Sequence, residues 1–530
     1  MPPSLPTPIR SGAVSEVLQS YHDKKFICHG LVWGFSLGFD GVECATQCVN
    51  SPSFLYYLEA GREKVLSEVA LGRVAGPFSF VPLPLFKCSP LAVRLKPTSG
   101  KVRLLHNLSA PYNSLAVNRN IPDSAATVSY QSIDDVLDIF RNSQVTHLAK
   151  SDISEAYRLI PLRPADYHLT GFQVEGSFYY DRCLPMGARS ACATFERFSS
   201  GLKHALITRY AVPKVVKVLD DFIFLGSSED ECKRSLSSFV HLAEYTGVPL
   251  ALNKTVGPVR NLTFLGYALD CSTYSISIPE DKVVKYVAQA RDIIHATSVT
   301  LEDLQAMIGK LTFCVKVVKC GRSFLRNLIT ATRGWQHPRR VIAVTPDMAE
   351  DLAVWMKFLG SANMKAISSP IDPPPSAPRH FYTDSSGKGF GGVFGKKYIQ
   401  GRFAAEWSDY DINVKELYPM YLLLAVFGPM LRGHRIIFHS DNKAAVISVN
   451  KWTSGSKKMM AILRKMVQVV LNYNLDCTAV HIRGSDNWVA DALSRSQVTR
   501  RFLSAVGLQG EASHVPFRLR TENWRLPLCN

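Results

Sequence analysis

The chain has 530 residues, and 61 Lys+Arg against 44 Asp+Glu give it a formal net charge of +17. This length exceeds one ordinary hydrophobic core, so about two to four domains are expected. An apolar content of 46% with 20% charged residues is typical of a folded protein and excludes a largely disordered chain. The positive excess favours a polyanionic partner, nucleic acid or an acidic membrane surface, although a generally basic soluble protein has the same balance.

The sequence favours an intracellular protein. Its first residues contain no apolar core of a signal peptide. The longest apolar run, 417–431, is shorter than a bilayer span and is interrupted by Pro419, Gly428 and Pro429. Twelve cysteines are scattered without zinc-like spacing, which favours free thiols in a reducing compartment. We therefore expect a location in the cytoplasm or the nucleus and no membrane partner.

The N-terminal third contains a basic hairpin. Residues 1–60 carry glycines and aromatic residues but no motif to which a role can be assigned. A helix over 57–70 precedes a predicted β-hairpin over 92–105. Three cations lie on this hairpin: Lys96, Lys101 and Arg103. Cations placed in this way suit a triphosphate, and a solvated basic hairpin is an equally good interpretation of the pattern alone.

The next stretch places an acid at the end of a strand. The predicted strand over 146–152 ends at Asp152, and a helical turn follows it. After a second strand pair comes the loop 184–190, and a helix begins at Ala191. A further helix with apolar residues at helical spacing is predicted over 229–246.

Between these two helices lies a pair of adjacent acids. Two β-branched, apolar runs over 215–226 flank Asp220 and Asp221, which predicts a tight β-hairpin with the acids at its turn. Each carboxylate disfavours ionisation of the other, and a shared Mg²⁺ would remove that cost. A hairpin that ends on two solvated aspartates is the alternative, because a two-residue motif has a high false-positive rate.

Taken together, these stretches resemble a known enzyme family over about residues 90–270. In this order they resemble motifs A, B and C of a reverse transcriptase palm: Asp152 with Tyr157 after it, the Leu-Pro-x-Gly loop at 184–187, and Asp220 with Asp221. Other positions match the family as follows: Lys96 and Arg103 in the triphosphate site of the fingers, Met186 and Gly187 in motif B, Lys254 in motif D, and 264–267 in the primer grip.

The resemblance implies a reaction and a substrate. Asp152, Asp220 and Asp221 would hold two Mg²⁺ ions, with Mn²⁺ as an alternative, and direct a primer 3′-hydroxyl at a triphosphate. Tyr157 would stack under the incoming sugar and select dNTPs, although an ordinary core aromatic is the competing interpretation. The family usually has Tyr where this chain has Val218, which leaves the efficiency or fidelity of copying open.

A helical region and a linker close the first half. Residues 279–335 are predicted to be helical, with Pro279 in a first turn and Thr300 with Asp303 as a capping pair. By position this region is the thumb, although a helical bundle with a solvated charged face fits the same periodicity. Five prolines over 370–378 predict a stiff linker.

The second half has its own set of acids. Its predicted elements are a strand over 380–384, a helix from 414, a strand over 434–441, a helix over 457–471 and a strand over 477–482. Four acids follow on strand, helix, strand and helix: Asp384, Glu416, Asp441 and Asp491. This arrangement, with Asn-x-x-Ala-Asp-Ala-Leu-Ser-Arg at 487–495, resembles the RNase H domain of retroelements. The resemblance implies two Mg²⁺ ions, cleavage of RNA and assistance from His481. Pro419 is expected to kink its helix if it lies beyond the first turn.

The sequence therefore predicts an α/β (α+β) multidomain protein: a right-hand polymerase (fingers, palm and helical thumb) followed by an RNase H-like domain. The predicted divisions are an N-terminal region of unknown role (1–60), fingers and palm (61–275), thumb (276–340), connection and linker (341–378), RNase H (379–497) and tail (498–530).

The expected activity is RNA-directed DNA polymerisation with hydrolysis of the RNA of the hybrid. The partners would be an RNA template, a DNA primer, RNA–DNA hybrid and dNTPs. The whole arrangement looks most like the tyrosine-recombinase (DIRS and Ngaro) retrotransposons, which implies a recombinase encoded elsewhere and a chain that is a fragment or a processed product. The alternatives are a catalytically inactive, retroelement-derived nucleic-acid-binding protein and a pararetroviral polymerase fragment.

Overall fold

The computed structural model describes residues 3–95, 100, 102–360, 378–508 and 512–523. The chain forms two compact units, Met1–Leu265 and Gly266–Asn530. Lys96, Lys101 and nearly all of the predicted linker lie outside the described residues. The predicted domain boundaries stay predictions.

The first unit mixes helices with short strands. Its helices are Ser11–Val17, Lys24–Trp33, Pro52–Tyr56, Leu58–Ala70, Asp123–Ala126, Ile133–Asn142, Ala191–Arg209 and Glu229–Thr246. Its strands are Val74–Phe78, Leu91–Leu95, Val102–His106, His147–Asp152, Gly171–Val174, Ser177–Asp181, Val215–Val218, Asp221–Gly226, Val256–Val259 and Asn261–Phe264. Both strands of the predicted basic hairpin are confirmed, and they pair antiparallel.

The helix Glu229–Thr246 shows why the sequence signals worked here. The Ser228 side chain caps it by accepting the Glu231 N–H, and three acids in its first turn complement the helix dipole. Gly247 ends it in the left-handed region at a φ of 75°. Its predicted bounds are confirmed.

Four antiparallel strands form the sheet that carries the first acids, called sheet A below. Their spatial order is Val215–Val218, Asp221–Gly226, His147–Asp152 and Val256–Val259. Asp152 is the register partner of Asp221 across the two central strands, and Ile153 donates its N–H to the Asp220 carbonyl oxygen at 2.9 Å. The ends of these strands therefore bring the first three acids to one edge of the sheet.

The N-terminal region, which the sequence left without a role, belongs to the core of the first unit. Apolar residues along this region are buried in one cluster with residues of sheet A and of the helix Ala191–Arg209. They are Ile9, Val14, Val17, Leu18, Ile27, Leu31, Phe35 and Leu37. Arg10 also donates its N–H to Thr246 O at 2.8 Å. This region closes the hydrophobic core beneath the acid-bearing hairpin.

The second unit also mixes helices with strands. Its helices are Glu280–His295, Leu301–Cys314, Arg326–Ala331, Pro346–Gly360, Ile412–Phe427, Lys443–Lys451, Lys457–Tyr473, Trp488–Ser494 and Arg500–Ala505. Its strands are Tyr267–Asp270, Ser275–Ser277, Ser298–Thr300, Val341–Ala343, Arg379–Ser385, Gly389–Phe394, Lys397–Arg402, Arg435–Ser440 and Asp476–His481.

The prediction that residues 279–335 are helical is wrong at Ser298–Thr300, which form a strand. The strand Ser298–Thr300 pairs with Val341–Ala343, and its last residue, Thr300, is the extended N-cap of the following helix. Thr300 does accept the Asp303 N–H, as predicted. Pro279 is the N-cap residue of its helix and does not lie inside the first turn.

Five strands form sheet B, with parallel pairing on one side and antiparallel pairing on the other. Their spatial order is Lys397–Arg402, Gly389–Phe394, Arg379–Ser385, Arg435–Ser440 and Asp476–His481. The strands Arg379–Ser385, Arg435–Ser440 and Asp476–His481 run parallel, so their carboxyl ends meet at one edge. The strand Lys397–Arg402 and the helix Lys443–Lys451 were not predicted.

The helix Ile412–Phe427 runs through the interior of this unit. Among the described helices, only the stretch Ile412–Leu431 has the length (20 residues) and mean hydropathy (1.2) of a membrane span, and 78% of its apolar window is buried. A core helix of a folded domain has the same properties. The apolar stretch is thus longer than the run expected from the sequence.

Pro419 lies beyond the first turn of that helix, which continues to Phe427. A proline has no N–H to donate to the carbonyl four residues earlier, here that of Lys415. Ser385 Oγ donates to this Lys415 oxygen at 2.9 Å instead. Because of the proline, the Lys415 carbonyl oxygen is available to accept a hydrogen bond from Ser385, which connects the end of the strand Arg379–Ser385 to the helix.

The predicted tail packs on the same domain. Leu508 is buried with Tyr398 and Leu493. The Tyr418 hydroxyl donates to Leu519 O at 2.7 Å, and Thr521 Oγ1 accepts the Ala404 N–H at 3.0 Å. The described part of the tail thus covers the helix that carries Glu416.

A buried ion pair joins two helices of the second unit and supports a stability prediction. Asp351 on Pro346–Gly360 is fully buried and is paired with Arg464 on Lys457–Tyr473. Burial raises the pKa of Asp351 to about 6, and Arg464 opposes the rise. Arg464→Met should lower the free energy of unfolding by roughly 3 to 5 kcal/mol, because it leaves a buried charge unpaired.

Urea denaturation of the full chain measures this loss. Asp351→Asn/Arg464→Met should recover at least half of it. Arg141→Met removes an exposed ion pair with Asp138 and should cost under about 1 kcal/mol. Equal losses in Arg464→Met and Arg141→Met would contradict the assignment.

Candidate active sites

The first site is the edge of sheet A where Asp152, Asp220 and Asp221 meet. Asp152 ends its strand, Asp220 lies in the hairpin turn and Asp221 begins the return strand. Burial, followed by the nearby Asp152, raises the pKa of Asp220. Burial also raises the pKa of Asp221 to about 6, which Lys150 opposes and the neighbouring acids reinforce. Crowded, half-buried carboxylates of this kind favour a bound cation.

Two lysines neighbour these acids. Lys254, the predicted motif D residue, donates to Asp152 Oδ2 at 2.9 Å. Lys150, which the sequence analysis did not single out, donates to Thr263 O at 2.9 Å and lies near enough to lower the pKa of Asp221. Arg103 is exposed on its strand, and its positive charge lowers the pKa of Asp220. Three cations thus lie near the acids, at the place where the sequence predicts a triphosphate site.

The motif B loop is held by a residue that sequence reasoning missed. Asn118 Nδ2 donates to Gly187 O at 2.8 Å, and Asn118 Oδ1 accepts the Arg189 N–H at 2.8 Å. His106 donates its N–H to Met186 O at 3.0 Å. Gly187 has a φ of 138°, and a Cβ there would overlap the carbonyl oxygen of His106. Asn118 and His106 therefore fix the shape of this loop from both sides.

Tyr157 is half-buried beside the same loop and helix. Its ring packs edge-on against Phe195 at 5.8 Å, and its hydroxyl lies 3.1 Å from Cys192 Sγ. Burial raises the pKa of the phenol, so the side chain is neutral. Its predicted contact with the sugar of a nucleotide stays a prediction.

The second site lies at the edge of sheet B. Asp384 is on the central strand, Glu416 is on the buried helix, and Asp441 follows the neighbouring parallel strand. One carboxylate oxygen from each of these three lies within 4.8 Å of the others, and no other group of three candidate metal ligands in the described ranges does so. Ser385 donates its N–H to Glu416 Oε1 at 3.3 Å, whereas Glu416 Oε2 is buried without a hydrogen-bond partner.

The electrostatics of this group fit a divalent cation. Burial, followed by repulsion from Asp384 and Asp441, raises the pKa of Glu416 to about 9. Burial also raises the pKa of Asp384 to about 6. Three hard oxygen ligands, one with an unpartnered lone pair, are what Mg²⁺, Mn²⁺ or Ca²⁺ binds.

Two predicted residues of the second site lie slightly apart from this trio. Asp491 Oδ1 accepts a hydrogen bond from Arg495 Nε at 2.7 Å, so the arginine at the end of its helix holds it. His481 is exposed, and its Nε2 lies 3.0 Å from the main-chain oxygen of Asp441. The roles of Asp491 as a ligand and of His481 as an assisting group stay predictions. The i, i+4 spacing of Asp491 and Arg495 was a signal available in the sequence.

Known proteins match this chain at three levels. Residues 95–269 match the family model described as reverse transcriptase (RNA-dependent DNA polymerase). The Gag-Pro-Pol polyprotein of human T-cell leukemia virus 3 is 27% identical over 278 residues, which are 50% of this chain and 17% of that polyprotein. The enzymatic polyprotein of cauliflower mosaic virus (strain NY8153) is 21% identical over 378 residues, 68% of this chain and 51% of that protein.

A solved structure shares the fold. The foamy viral protease-reverse transcriptase dRH, solved in complex with double-stranded DNA, matches with a TM-score of 0.50 at 15% identity over 91% of this chain and 84% of that one. The predicted fold, a polymerase followed by an RNase H-like domain, is confirmed. The chain spans one sixth to one half of the polyproteins above, and its residues 95–269 are similar to a reverse transcriptase domain.

The pKa of Glu416 leads to a pH-dependent stability prediction. An acid whose pKa is raised on folding supplies stability that is present below its unfolded pKa and is lost as pH rises towards its folded pKa. For Glu416 that window runs from the ordinary value of 4.5 to about 9. Without metal, Glu416→Gln should therefore be more stable than the parent, by a margin that grows by about 1.4 kcal/mol per pH unit between pH 5 and 8.

Thermal unfolding of the metal-free chain at several pH values checks this. Added Mg²⁺ should stabilise the parent more than Glu416→Gln. As a control, Glu406→Gln changes an exposed acid and should leave the difference from the parent constant with pH. A Glu416→Gln margin that does not vary with pH would contradict the prediction.

The motif B loop gives a prediction with a matched control two residues away. Asn118→Ala removes both hydrogen bonds to the loop and should lower kcat/KM for dNTP incorporation by roughly tenfold or more, because small displacements of positioning groups are costly. Asn120 bridges Ser114 O and Ala116 O without touching the loop. Asn120→Ala should stay within about threefold of the parent. Equal effects of the two changes in steady-state extension assays would refute the assignment.

Proposed function

We propose that this chain copies RNA into DNA at the first site and hydrolyses the RNA of the resulting hybrid at the second. The observation that carries the proposal is that each unit brings acids to a sheet edge, with Asp152, Asp220 and Asp221 on sheet A and Asp384, Glu416 and Asp441 on sheet B. The family match over residues 95–269 supports the first activity.

At the first site, Asp152, Asp220 and Asp221 would hold Mg²⁺ ions. When bound, the metal would supply charge neutralisation for the triphosphate and a lowered pKa for the attacking primer hydroxyl. The chain itself contributes the hairpin, the motif B loop with its hydrogen bonds to Asn118, and nearby cations. Lys254 is placed to move from Asp152 to an incoming phosphate, since an ammonium is a mobile donor on a flexible stem.

At the second site, Asp384, Glu416 and Asp441 would hold the metal, with Asp491 as a further candidate ligand. Bound metal would supply a hydroxide equivalent and stabilise the charge on a phosphodiester. The chain keeps Glu416 in place through the Ser385 N–H, and Arg495 orients Asp491. His481 is exposed next to Asp441. We propose that it assists cleavage by passing a proton between the site and the surrounding water.

The substrates follow from this assignment. We propose RNA template, DNA primer, RNA–DNA hybrid and dNTPs, with Lys96, Arg103, Tyr157 and the motif B loop as the nucleotide contacts. The net charge of +17 suits polyanionic partners. We further propose that the chain comes from the tyrosine-recombinase group of retrotransposons, with a recombinase encoded elsewhere. An intracellular location is proposed because every described cysteine is a free thiol.

A second candidate function is nucleic-acid binding without catalysis, as in a domesticated retroelement protein. The observation that favours it is Val218, which stands where the family usually has Tyr. The hairpin itself keeps its strand pairing at Val218 and Asp221.

Separation of the two activities tests the proposal. With Mg²⁺, dNTPs and a labelled RNA template carrying a DNA primer, the parent should extend the primer and shorten the template. Asp220→Ala/Asp221→Ala should lose extension by roughly a thousandfold or more and keep cleavage, and Asp384→Asn/Glu416→Gln should do the reverse, because each pair removes metal ligands from one site only.

Cleavage without extension in the parent would assign the defect to Val218 or the fingers, and Val218→Tyr should then raise extension. Binding of template–primer with neither reaction, in Mn²⁺ as well as Mg²⁺, would reject the enzymatic proposal in favour of the binding protein.

A further inference from the structure

A buried ion pair lies directly behind the acid-bearing hairpin of the first site. Lys217, on the strand that leads into the turn, is 1% exposed. Its Nζ lies 2.7 Å from Glu196 Oε1 on the helix Ala191–Arg209 and donates to Ser199 Oγ at 2.8 Å and Glu196 O at 3.1 Å. Three acceptors thus satisfy the three N–H groups of the ammonium.

The second oxygen of the same carboxylate contacts the catalytic turn. Glu196 Oε2 accepts the main-chain N–H of Leu219 at 3.0 Å. Leu219 is the residue immediately before Asp220, and its φ of 54° is left-handed. A branched, non-glycine residue rarely adopts this conformation unless its surroundings determine it. The carboxylate therefore holds the one strained residue of the turn that aims Asp220 and Asp221.

The two contacts depend on each other. Burial lowers the pKa of Lys217 to about 8, and Glu196 opposes that shift. A carboxylate buried to this extent is stable as an anion only beside a cation. Lys217 therefore holds one oxygen of the Glu196 carboxylate in place, and the other oxygen accepts the Leu219 N–H.

We infer that Glu196 is a positioning residue for polymerisation, which fixes the hairpin turn through the Leu219 N–H while Lys217 holds its carboxylate in place. This inference rests on the proposed polymerase function. It assigns to the helix after motif B a task for which its sequence gave no signal, because Glu196 and Lys217 are distant in the chain.

The matched comparison is between two double variants. Glu196→Leu/Lys217→Met replaces the ion pair with apolar residues of similar volume, a change that buried pairs often tolerate without loss of stability, and removes the acceptor for Leu219. Glu196→Gln/Lys217→Gln also removes both charges but keeps a side-chain oxygen that accepts the Leu219 N–H. Ser199→Ala removes one bond to Lys217 without touching the turn.

The expected result is a selective loss of extension. Glu196→Leu/Lys217→Met should lower kcat for primer extension by roughly ten- to a hundredfold, with dNTP KM and template–primer Kd changed by less than about threefold. Glu196→Gln/Lys217→Gln should extend at least about fivefold faster than that variant, and Ser199→Ala should stay within about threefold of the parent. RNA cleavage by the same molecules reports that the second unit is intact.

Hydrogen exchange resolved to the Leu219 amide gives a readout that does not need polymerase activity. Exchange at this amide should be at least about tenfold faster in Glu196→Leu/Lys217→Met than in Glu196→Gln/Lys217→Gln. Equal extension rates or equal Leu219 exchange in the two double variants would overturn the inference. A parent that shows no extension would instead reject the proposed function, and the exchange measurement would still decide whether Glu196 fixes the turn.

Discussion

Mutual repulsion between carboxylates is the constraint on which both units are built. Asp221 faces Asp152 across sheet A, and Asp384, Glu416 and Asp441 converge within 4.8 Å at the edge of sheet B. Burial and crowding raise several of their pKa values. Bringing the ionised acids together therefore costs free energy of folding until a cation is bound. A fold that holds such groups together must fix their backbones from outside, because the acids cannot stabilise one another.

The two units meet this requirement in similar ways. In the first unit, the Glu196 carboxylate on a neighbouring helix accepts the Leu219 N–H of the hairpin turn. The buried Lys217 pairs with the same carboxylate. In the second, the Ser385 hydroxyl occupies the Lys415 carbonyl that Pro419 leaves without a helical partner, and the Ser385 N–H reaches Glu416. In both, hydrogen bonds between a helix and an acid-bearing strand hold the backbone next to the acids in place.

Local signals in the sequence were sufficient for most of the framework. The capped helix Glu229–Thr246, the hairpin of Asp220 and Asp221, and the acids at strand ends follow from periodicity and turn chemistry. Features that depend on partners distant in the chain could not be predicted from these local signals. The N-terminal region joins the core through residues far from it in the chain, and the strand Ser298–Thr300 exists only because a strand some forty residues later pairs with it. The contacts of Glu196 were hidden for the same reason.

The arrangement of charge also bears on which function the chain performs. A protein with a net charge of +17 binds a polyanion best when its contact surfaces are free of carboxylates, since every acid there repels phosphate. Both acid clusters would weaken the binding of a nucleic acid in the absence of metal. The buried ion pair of Lys217 and Glu196 behind one cluster adds a desolvation cost that binding alone does not require. The acid clusters become useful only if cations neutralise them beside the phosphates. Val218 alters one side chain of the hairpin but leaves its strand pairing and both of its acids in place, and Asp152 still faces Asp221 from the neighbouring strand. The physical case for metal-dependent phosphate chemistry therefore rests on the acids and does not depend on that position.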